Sequence, residues 1–205
     1  MKKWTLTLVS LMIIIVLAGC SLEPPGWAKP DATGSNGPKK IGLSISTLNN
    51  PFFVSLKDGV VAEAKKQGIQ VIVVDAQNDS AKQTNDVDDL IQQGVNALLI
   101  NPADSAAIST AVQSANSVGI PVITLDRSAD KGEVAALVAS DNVKGGRMAA
   151  EYFVEQLGEG AKVIELEGVP GASATRERGK VSMKWLTRNL TWLPNNLPIS
   201  IGPKD

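Results

Sequence analysis

The sequence of 205 residues contains no histidine and only one cysteine, Cys20. Because histidine is the usual general base for serine and cysteine nucleophiles, its absence excludes serine–histidine and cysteine–histidine catalytic pairs. The lack of histidine also removes most zinc sites, and a single cysteine cannot form an internal disulfide. The chain is therefore not expected to be a triad hydrolase, a zinc-stabilised domain or a disulfide-rich domain.

The chain also lacks an excess of charge of either sign. It has 20 basic and 21 acidic residues and a net charge of −1, which gives no electrostatic reason to expect nucleic acid as a partner. No GxxxxGK[ST] or GxGxxG motif surrounds Gly145-Gly146, and the sequence predicts no cofactor and no metal. The apolar fraction of 43% and the charged fraction of 20% are typical of a globular protein, with room for one domain or for one and a fragment.

The amino terminus has the features of an export signal. Lys2 and Lys3 precede an apolar stretch, residues 6–17, that is too short for an ordinary membrane span. The stretch ends in Leu-Ala-Gly-Cys20, which resembles a bacterial lipobox and implies cleavage before Cys20 and acylation of that residue. An ordinary signal peptide or anchor helix with an incidental cysteine is the alternative. We predict a signal peptide over 1–19 and a Pro/Gly-rich linker over 20–39.

From Ile41 onward, short apolar runs alternate with amphipathic segments. The first four runs cover residues 41–46, 71–75, 97–101 and 122–126, and the first three are each followed by a helical pattern. Those three helical patterns end at Gly68, Gly94 and Gly119, a residue type that suits the left-handed position after a helix. Fully apolar strands joined by helices indicate a parallel sheet covered on both faces. A fifth run (135–139), a helix (143–157), a strand (162–166) and a helix from about residue 172 follow. The predicted fold is a doubly wound α/β sheet and the beginning of a second one.

Polar and aromatic side chains follow the predicted strands. Asn50 is the predicted N-cap of the first helix, Pro51 its first residue, and Phe52 and Phe53 lie on its opening turn. The carboxyl ends of parallel strands share one edge of a sheet, and ligands bind there. An aromatic face beside a hydrogen-bonding amide suits a sugar ring. Alternatively, the two phenylalanines simply close a hydrophobic core over the first helix.

Two charged clusters are expected to face the same cleft. Asp126-Arg127 follows the fourth strand, and Arg176-Glu177-Arg178 lies early in the last helix. Carboxylate and guanidinium groups bind paired hydroxyls in a planar, two-pronged way. A solvated Asp126–Arg127 ion pair of little energetic consequence is the alternative.

Long motifs in residues 40–180 resemble the family of bacterial D-ribose-binding proteins, the extracytoplasmic receptors of ribose ABC importers. The motifs are STLNNPFFVSLKDG, DAQNDS, LLINPADS, PVITLDRSA, VASDNVKGG and KVIELEGVPGASATRERG. The resemblance implies the type I periplasmic-binding-protein fold, with a nearly complete first lobe over 40–140 and the start of a second lobe over 141–180. It implies sugar contacts from Asn50, Phe52, Phe53, Asp126, Arg127 and Arg178.

The same resemblance implies what the chain does and where. It implies reversible capture of D-ribose or a related monosaccharide, delivery to an ABC permease, and a monomer anchored to the outer face of a Gram-positive cell membrane by lipid on Cys20. A receptor for another pentose or for a furanose-like signal molecule is the alternative ligand class. A lac-repressor-type regulator has the same core fold, but a signal segment stands where its helix-turn-helix would be.

The last 25 residues, 181–205, depart from the family pattern. They contain two of the four tryptophans and one of the 21 acidic residues, and no helical or strand period is visible in them. With free codon choice, one restored G after the Lys180 codon lets the segment be read as GFNEVADKKLDVVAKQPADFDRAKG, which looks like the family's continuation. We therefore predict an out-of-frame tail. For this chain we expect weak or no ribose binding, because further second-lobe contacts have no counterpart in it.

Overall fold

The computed structural model describes residues 39–158, 161–189 and 191–192. The predicted signal peptide, the lipobox at Cys20 and nearly all of the linker lie outside the described residues. Seven strands and five helices follow each other in the described part of the chain. The strands are β1 (Lys40–Ile45), β2 (Gln70–Asp75), β3 (Ala97–Ile100), β4 (Val122–Leu125), β5 (Ala136–Val138), β6 (Lys162–Val163) and β7 (Thr191–Trp192). The helices are α1 (Pro51–Lys66), α2 (Ser80–Gln92), α3 (Ser109–Ser117), α4 (Asn142–Leu157) and α5 (Ser173–Asn189).

The first five strands form one parallel sheet in the order β2-β1-β3-β4-β5. Ile45 at the end of β1 lies opposite Asp75 of β2, and Leu125 at the end of β4 lies opposite Val138 of β5. The predicted doubly wound α/β sheet is confirmed. Its topology brings the loops after β1, β3 and β4 to the same edge, because β1, β3 and β4 are neighbours in the sheet.

Local sequence signals explain where the helices begin and end. The Asn50 side chain accepts a hydrogen bond from the Phe52 amide at 3.0 Å, and Pro51 is the first residue of α1, as predicted. Gly68 and Gly94 follow α1 and α2 with φ angles of 67° and 68°, in the left-handed region that glycine adopts without strain. These caps set how soon the chain returns to the sheet.

Side chains alternate along the strands, so that each face of the sheet has its own core. Leu43 and Ile45 of β1 pack with Phe53 of α1 and Leu125 of β4 on one face. The other face is covered by α2 and α3, and its fully or almost fully buried members include Leu90, Leu98, Ile100, Ile108 and Val112. Gly42 lies on this second face, where an added Cβ would stand 2.9 Å from methyl carbons of Leu90 and Leu98.

The part of the chain after β5 differs from the prediction in two places. Strand β6 covers only Lys162–Val163 and not the predicted residues 162–166, because β7, its partner in a two-stranded sheet, pairs with these two residues alone in the described part of the chain. The prediction that residues 181–205 have no helical period is wrong for the first nine of these residues. Helix α5 continues to Asn189, and Leu186 is buried against Ala150 of α4. No helix in the described part of the chain is both long and apolar enough to cross a membrane.

Candidate functional site

The buried side chain of Asn101 ties together three strand ends at the carboxyl edge of the sheet. Its Oδ1 accepts hydrogen bonds from the Ser46 hydroxyl at 2.6 Å and from the Ser46 amide at 3.2 Å. Its Nδ2 donates to the carbonyl oxygen of Leu125 at 3.0 Å. Asn101 itself directly follows β3, so this one amide fixes the loop after β1 relative to the loop after β4.

Gln83 of α2 supports Asn101 from behind the edge. Its Nε2 donates to the Asn101 carbonyl oxygen at 2.9 Å and to the Ser44 hydroxyl at 3.1 Å, and its Oε1 accepts from the Ala103 amide at 2.8 Å. Gln83, Asn101 and Ser44 are all fully buried. Because a buried polar group is costly unless it is hydrogen-bonded, this network holds the strand ends in one arrangement.

The two phenylalanines of α1 play different parts. Their rings meet edge to face, with centroids 5.4 Å apart and an angle of 66° between the planes. Phe53 is only 3% exposed and belongs to the core under α1, whereas Phe52 is 56% exposed. The Phe53 ring therefore completes the core, as the second alternative raised from the sequence expects, whereas the Phe52 ring is open to solvent.

Asn50 stands beside these rings. Its side-chain oxygen is used in capping α1, and its residue is exposed. Among the described residues no hydrogen bond involves its amide nitrogen. That NH₂ group is the donor it can offer to a ligand.

Arg127 joins the fourth strand end to the aromatic pair. Its guanidinium carbon lies 5.2 Å from the centre of the Phe53 ring. Its Nη1 donates to the carbonyl oxygens of Pro102 at 2.9 Å and Ala103 at 3.4 Å. Stacking on an aromatic ring together with donation to carbonyls holds the planar group in one orientation.

Asp126 precedes Arg127 in a constrained turn. Its φ angle is 63°, in the left-handed region that non-glycine residues rarely adopt, and its amide donates to the Val138 carbonyl oxygen at 2.8 Å. The nearest oxygen–nitrogen approach between Asp126 and Arg127 is 3.7 Å, with side chains 24% and 12% exposed. The pair is therefore partly buried rather than a solvated surface pair, and both charged groups project from the same short turn.

Arg178 reaches the same region from α5. Its Nη1 donates to Asn142 Oδ1 at 2.8 Å, and Asn142 is buried at the start of α4. The two helices cross closely here, since a Cβ on Gly146 would lie 2.5 Å from the Arg178 carbonyl oxygen. Burial lowers the pKa of Arg127, Asp126 raises it, and the positive charge of Arg178 lowers it further. Arg127 nevertheless stays charged at any physiological pH.

The six residues predicted as sugar contacts thus fall on three elements around one edge. Phe52 and Phe53 come from α1 and Asn50 is its N-cap, Asp126 and Arg127 come from the turn after β4, and Arg178 comes from α5. Asn101 and Asn142 were not among the residues predicted as sugar contacts. The signal for Asn101 was its place directly after an apolar strand, and for Asn142 its place at a helix start.

The sequence of the chain is similar to that of a known protein family. The model of the periplasmic binding protein domain matches residues 41–200. The chain belongs to this family. The family consists of solute-binding proteins and not of enzymes, and the doubly wound fold described above is the family's fold. The match extends into the segment predicted as an out-of-frame tail.

Two relatives and one solved structure illustrate the similarity. The chain is 68% identical over 179 residues to the ribose import binding protein of Bacillus subtilis. The matched residues make up 87% of this chain and 58% of that protein. It is 58% identical over 140 residues to the ribose import binding protein of Escherichia coli, covering 68% of this chain and 47% of that protein. A myo-inositol binding protein from Caulobacter, bound to myo-inositol, matches with a TM-score of 0.69 and 34% identity over 75% of this chain and 54% of that one. The chain therefore spans about half the length of the relatives it matches.

Proposed function

We propose that this chain is the solute-binding component of an ABC sugar importer and that its ligand is D-ribose. The observation that carries the proposal is the placement of Arg127 on the Phe53 ring, with Asp126 beside it and Arg178 close enough for its charge to lower the pKa of Arg127. The two relatives described above are both named as ribose import binding proteins. The periplasmic binding protein domain matches residues 41–200, a range that includes all of these residues.

The chemistry of the cluster suits a polyhydroxyl ring. The exposed Phe52 ring offers an apolar face for the C–H side of a sugar, and the NH₂ group of Asn50 offers a donor. A carboxylate and a guanidinium that leave the same turn accept from and donate to neighbouring hydroxyls. No covalent bond of the ligand needs to break, so the proposed activity is reversible binding followed by release to a permease.

The test is calorimetric titration with D-ribose. The 205-residue chain is expected to bind weakly or not at all. A chimera in which residues 1–180 are followed by the corresponding remainder of the Bacillus subtilis relative is expected to bind ribose. Replacing Arg127 by Ala in the chimera should abolish binding, whereas Lys65→Ala, an exposed charge change in the last turn of α1, should not. A chimera that folds but binds no ribose would refute the proposal.

The ligand class is tested by the same chimera. Solved relatives hold other polyols, such as the myo-inositol in the Caulobacter structure. A thermal-shift screen with ribose, other pentoses, furanose sugars and myo-inositol is expected to give the largest stabilisation with ribose, since a ligand that binds only the folded state raises its stability. A larger shift with another sugar would assign the site to that sugar.

We further propose that the folded domain is held on the outer face of the cell membrane by lipid on Cys20. The support is the Leu-Ala-Gly-Cys20 motif after an apolar stretch, followed by a Pro/Gly-rich linker. Radiolabelled palmitate fed to expressing cells should label the wild-type chain and not the C20S variant. Labelling of C20S, or none of the wild type, would reject the anchor.

The segment after Lys180 remains proposed as an out-of-frame reading. Its support is composition: two tryptophans and a single acidic residue in 25 positions. Sequencing the gene decides the matter. A second reading frame that encodes the family-like continuation supports the proposal, and a frame that does not encode it ends the idea.

A further inference from the structure

Residues 101–103 directly follow β3 and belong to no helix or strand, yet all three are buried. Their backbone polar groups therefore need partners within the protein, because little water reaches them. Two side chains from other elements provide most of these partners. One is Gln83 of α2, and the other is Arg127 of the candidate site.

The Gln83 amide bonds the backbone on both sides of Pro102. Its Oε1 accepts from the Ala103 amide at 2.8 Å, and its Nε2 donates to the Asn101 carbonyl oxygen at 2.9 Å. Nε2 also donates to the Ser44 hydroxyl at 3.1 Å, and Gln83 is fully buried. Because both of its donors and its acceptor are used in a dry interior, this amide is held in one orientation.

The carbonyl oxygens of the same segment hold Arg127. Nη1 of Arg127 donates to the Pro102 carbonyl oxygen at 2.9 Å and to the Ala103 carbonyl oxygen at 3.4 Å. The guanidinium carbon lies 5.2 Å from the centre of the Phe53 ring. Hydrogen bonds from a charged donor are stronger than neutral ones, and they weaken when the acceptor leaves their direction. A shift of these two carbonyls would therefore move the guanidinium relative to the ring.

Gln83 is the side chain that opposes such a shift. The ladder of hydrogen bonds between the strands ends before Pro102, because β3 stops at Ile100. Among the hydrogen bonds of the described residues, the backbone of Pro102 and Ala103 has two partners, Gln83 and Arg127. Arg127 cannot fix the carbonyls that hold Arg127 itself. The anchor of this contact is therefore Gln83.

From these contacts we infer that Gln83 is a positioning residue of the candidate sugar site, which sets the orientation of the Arg127 guanidinium through the backbone of Pro102 and Ala103. Gln83 is completely shielded from solvent, so it acts on a ligand only through Arg127. The inference rests on the proposed function only where it calls the site a sugar site, because the orientation of Arg127 is measurable without a ligand.

The test is nitrogen-15 NMR of the five arginine side chains of the 205-residue chain, without sugar. Gln83→Met keeps a side chain of similar length and removes its hydrogen bonds. It should shift the Arg127 signal and speed the exchange of its side-chain protons with water by roughly tenfold or more, the factor expected for losing a hydrogen bond to a charged group. The signal of Arg147, which is exposed on α4, should not change.

Val87→Ala is the matched control for a loss of stability alone. Val87 is fully buried one turn after Gln83 on the same helix and belongs to the apolar core. Its replacement should lower the unfolding temperature and leave the Arg127 signal in place. If Gln83→Met lowers the unfolding temperature in the same way without moving the Arg127 signal, Gln83 is a purely structural residue and the inference is overturned.

Ser44→Ala replaces Gln83→Met if that variant does not fold. It keeps Gln83 and removes the hydroxyl that accepts from its Nε2 group, so the amide is held by two hydrogen bonds instead of three. The Arg127 signal should shift while that of Arg147 stays. An unmoved Arg127 signal in the folded Ser44→Ala variant would overturn the inference.

Titration of the chimera described above with D-ribose separates this inference from the proposed function. An Arg127 signal that responds to Gln83→Met, in a chimera that does not bind ribose, would support the positioning role and count against ribose as the ligand. Ribose binding together with an Arg127 signal that ignores Gln83→Met would support the ligand and overturn the positioning role.

Discussion

Two regions of the chain carry the same kind of elements but bury them very differently. In the first region, residues 40–138, the middle strands β1, β3 and β4 pack between helices, and Leu43, Ile45 and Leu98 are completely buried. In the second region, residues 142–192, Phe153 and Ile164 remain about half exposed and Leu166 is 87% exposed. Helices α4 and α5 and strand β6 line an apolar groove of about 490 Å³ there.

The difference shows what a β–α unit needs in order to form a core. A helix that packs on a sheet can bury its apolar stripe only where the sheet is wide enough to cover it. In the first region five strands provide that surface, whereas in the second β6 and β7 pair over two residues each. Helix α4 therefore packs mainly on α5, and its aromatic residues Tyr152 and Phe153 stay open to solvent. The local sequence pattern is similar in both regions, and the number of strands decides the burial.

The largest expected effect compares one phenylalanine from each region. Phe53→Ala removes a buried ring from the core under α1 and should destabilise the protein by about 3–5 kcal/mol. Phe153→Ala removes a ring that is 48% exposed and should cost less than about 1 kcal/mol. Urea unfolding followed by circular dichroism measures both. Equal losses would mean that the two regions are buried alike in solution.

The secondary structure of the first region was easier to predict from the sequence than that of the second region. Strands β1 to β4 and their helices were predicted to within a residue or two at most ends, because apolar runs, Asn50 and the glycines at 68, 94 and 119 all agreed. In the second region, residues Lys162–Leu166 have the composition of a strand. A strand forms only where a neighbouring strand pairs with it, however, and this cannot be read from the local sequence. The continuation of α5 to Asn189 was missed because its stripe contacts α4 through scattered residues such as Leu186.

The placement of the candidate site residues at one edge of the sheet was predictable in a similar way. Residue types at strand ends pointed to Asn50, Phe52, Phe53, Asp126 and Arg127, because parallel strands bring their carboxyl ends together. The sequence could not separate the buried Phe53 from the exposed Phe52, since neighbouring positions on a helix turn by 100° and only the packing shows which one meets the sheet. The hydrogen bond from the Ser173 amide to the Ser105 hydroxyl joins residues 68 positions apart, and no local pattern indicates it.

A second comparison uses two asparagines with similar bonds and different burial. Asn101 bonds Ser46 and the Leu125 carbonyl in a dry interior, whereas Asn116 bonds the amide and carbonyl of Glu133 in exposed surroundings. Asn101→Ala should cost about 1–3 kcal/mol because it leaves buried groups unpaired. Asn116→Ala should cost less than about 1 kcal/mol, because water can replace the amide. Thermal unfolding measures the difference, and a larger loss for Asn116→Ala would contradict it.

Two glycines should respond with opposite signs. Gly42→Ala places a methyl group 2.9 Å from carbons of Leu90 and Leu98, both fully buried, and should destabilise by about 1 kcal/mol or more. Gly145 on α4 has open space around the added Cβ, and Gly145→Ala should stabilise the helix by about 0.5–1 kcal/mol. Denaturation midpoints of the two variants test this. Stabilisation by Gly42→Ala would show that the core of the first region is loosely packed.

The smallest expected effect concerns two glutamates and pH. In the first region, hydrogen bonds from Lys66 and then Gln67 lower the pKa of Glu63. In the second region, burial first and the charge of Glu167 next raise the pKa of Glu165, and a hydrogen bond with Ser182 partly offsets them. A carboxyl group whose pKa is lower in the folded state stabilises the fold at pH values above its pKa in the unfolded chain. That stabilisation is lost as the pH falls through its pKa in the folded state. A raised one means that the folded state binds protons more readily, so the protein gains stability as pH falls from neutrality toward the ordinary carboxyl range.

These opposite trends are separable with two matched variants. Glu165→Gln should remove the part of the stability gain seen on mild acidification, and Glu63→Gln should remove part of the loss seen at lower pH. Glu63 is exposed and Glu165 is only partly buried, so screening by water and salt keeps each effect small, and added salt should shrink that of Glu63 further. Unfolding midpoints of the wild type and both variants across acidic pH provide the measurement. If Glu165→Gln leaves the pH dependence of stability unchanged, the Glu165 carboxylate beside the apolar groove is as well hydrated as the Glu63 carboxylate on the surface of α1. The two regions would then differ in the burial of their apolar side chains but not in the hydration of these charged groups.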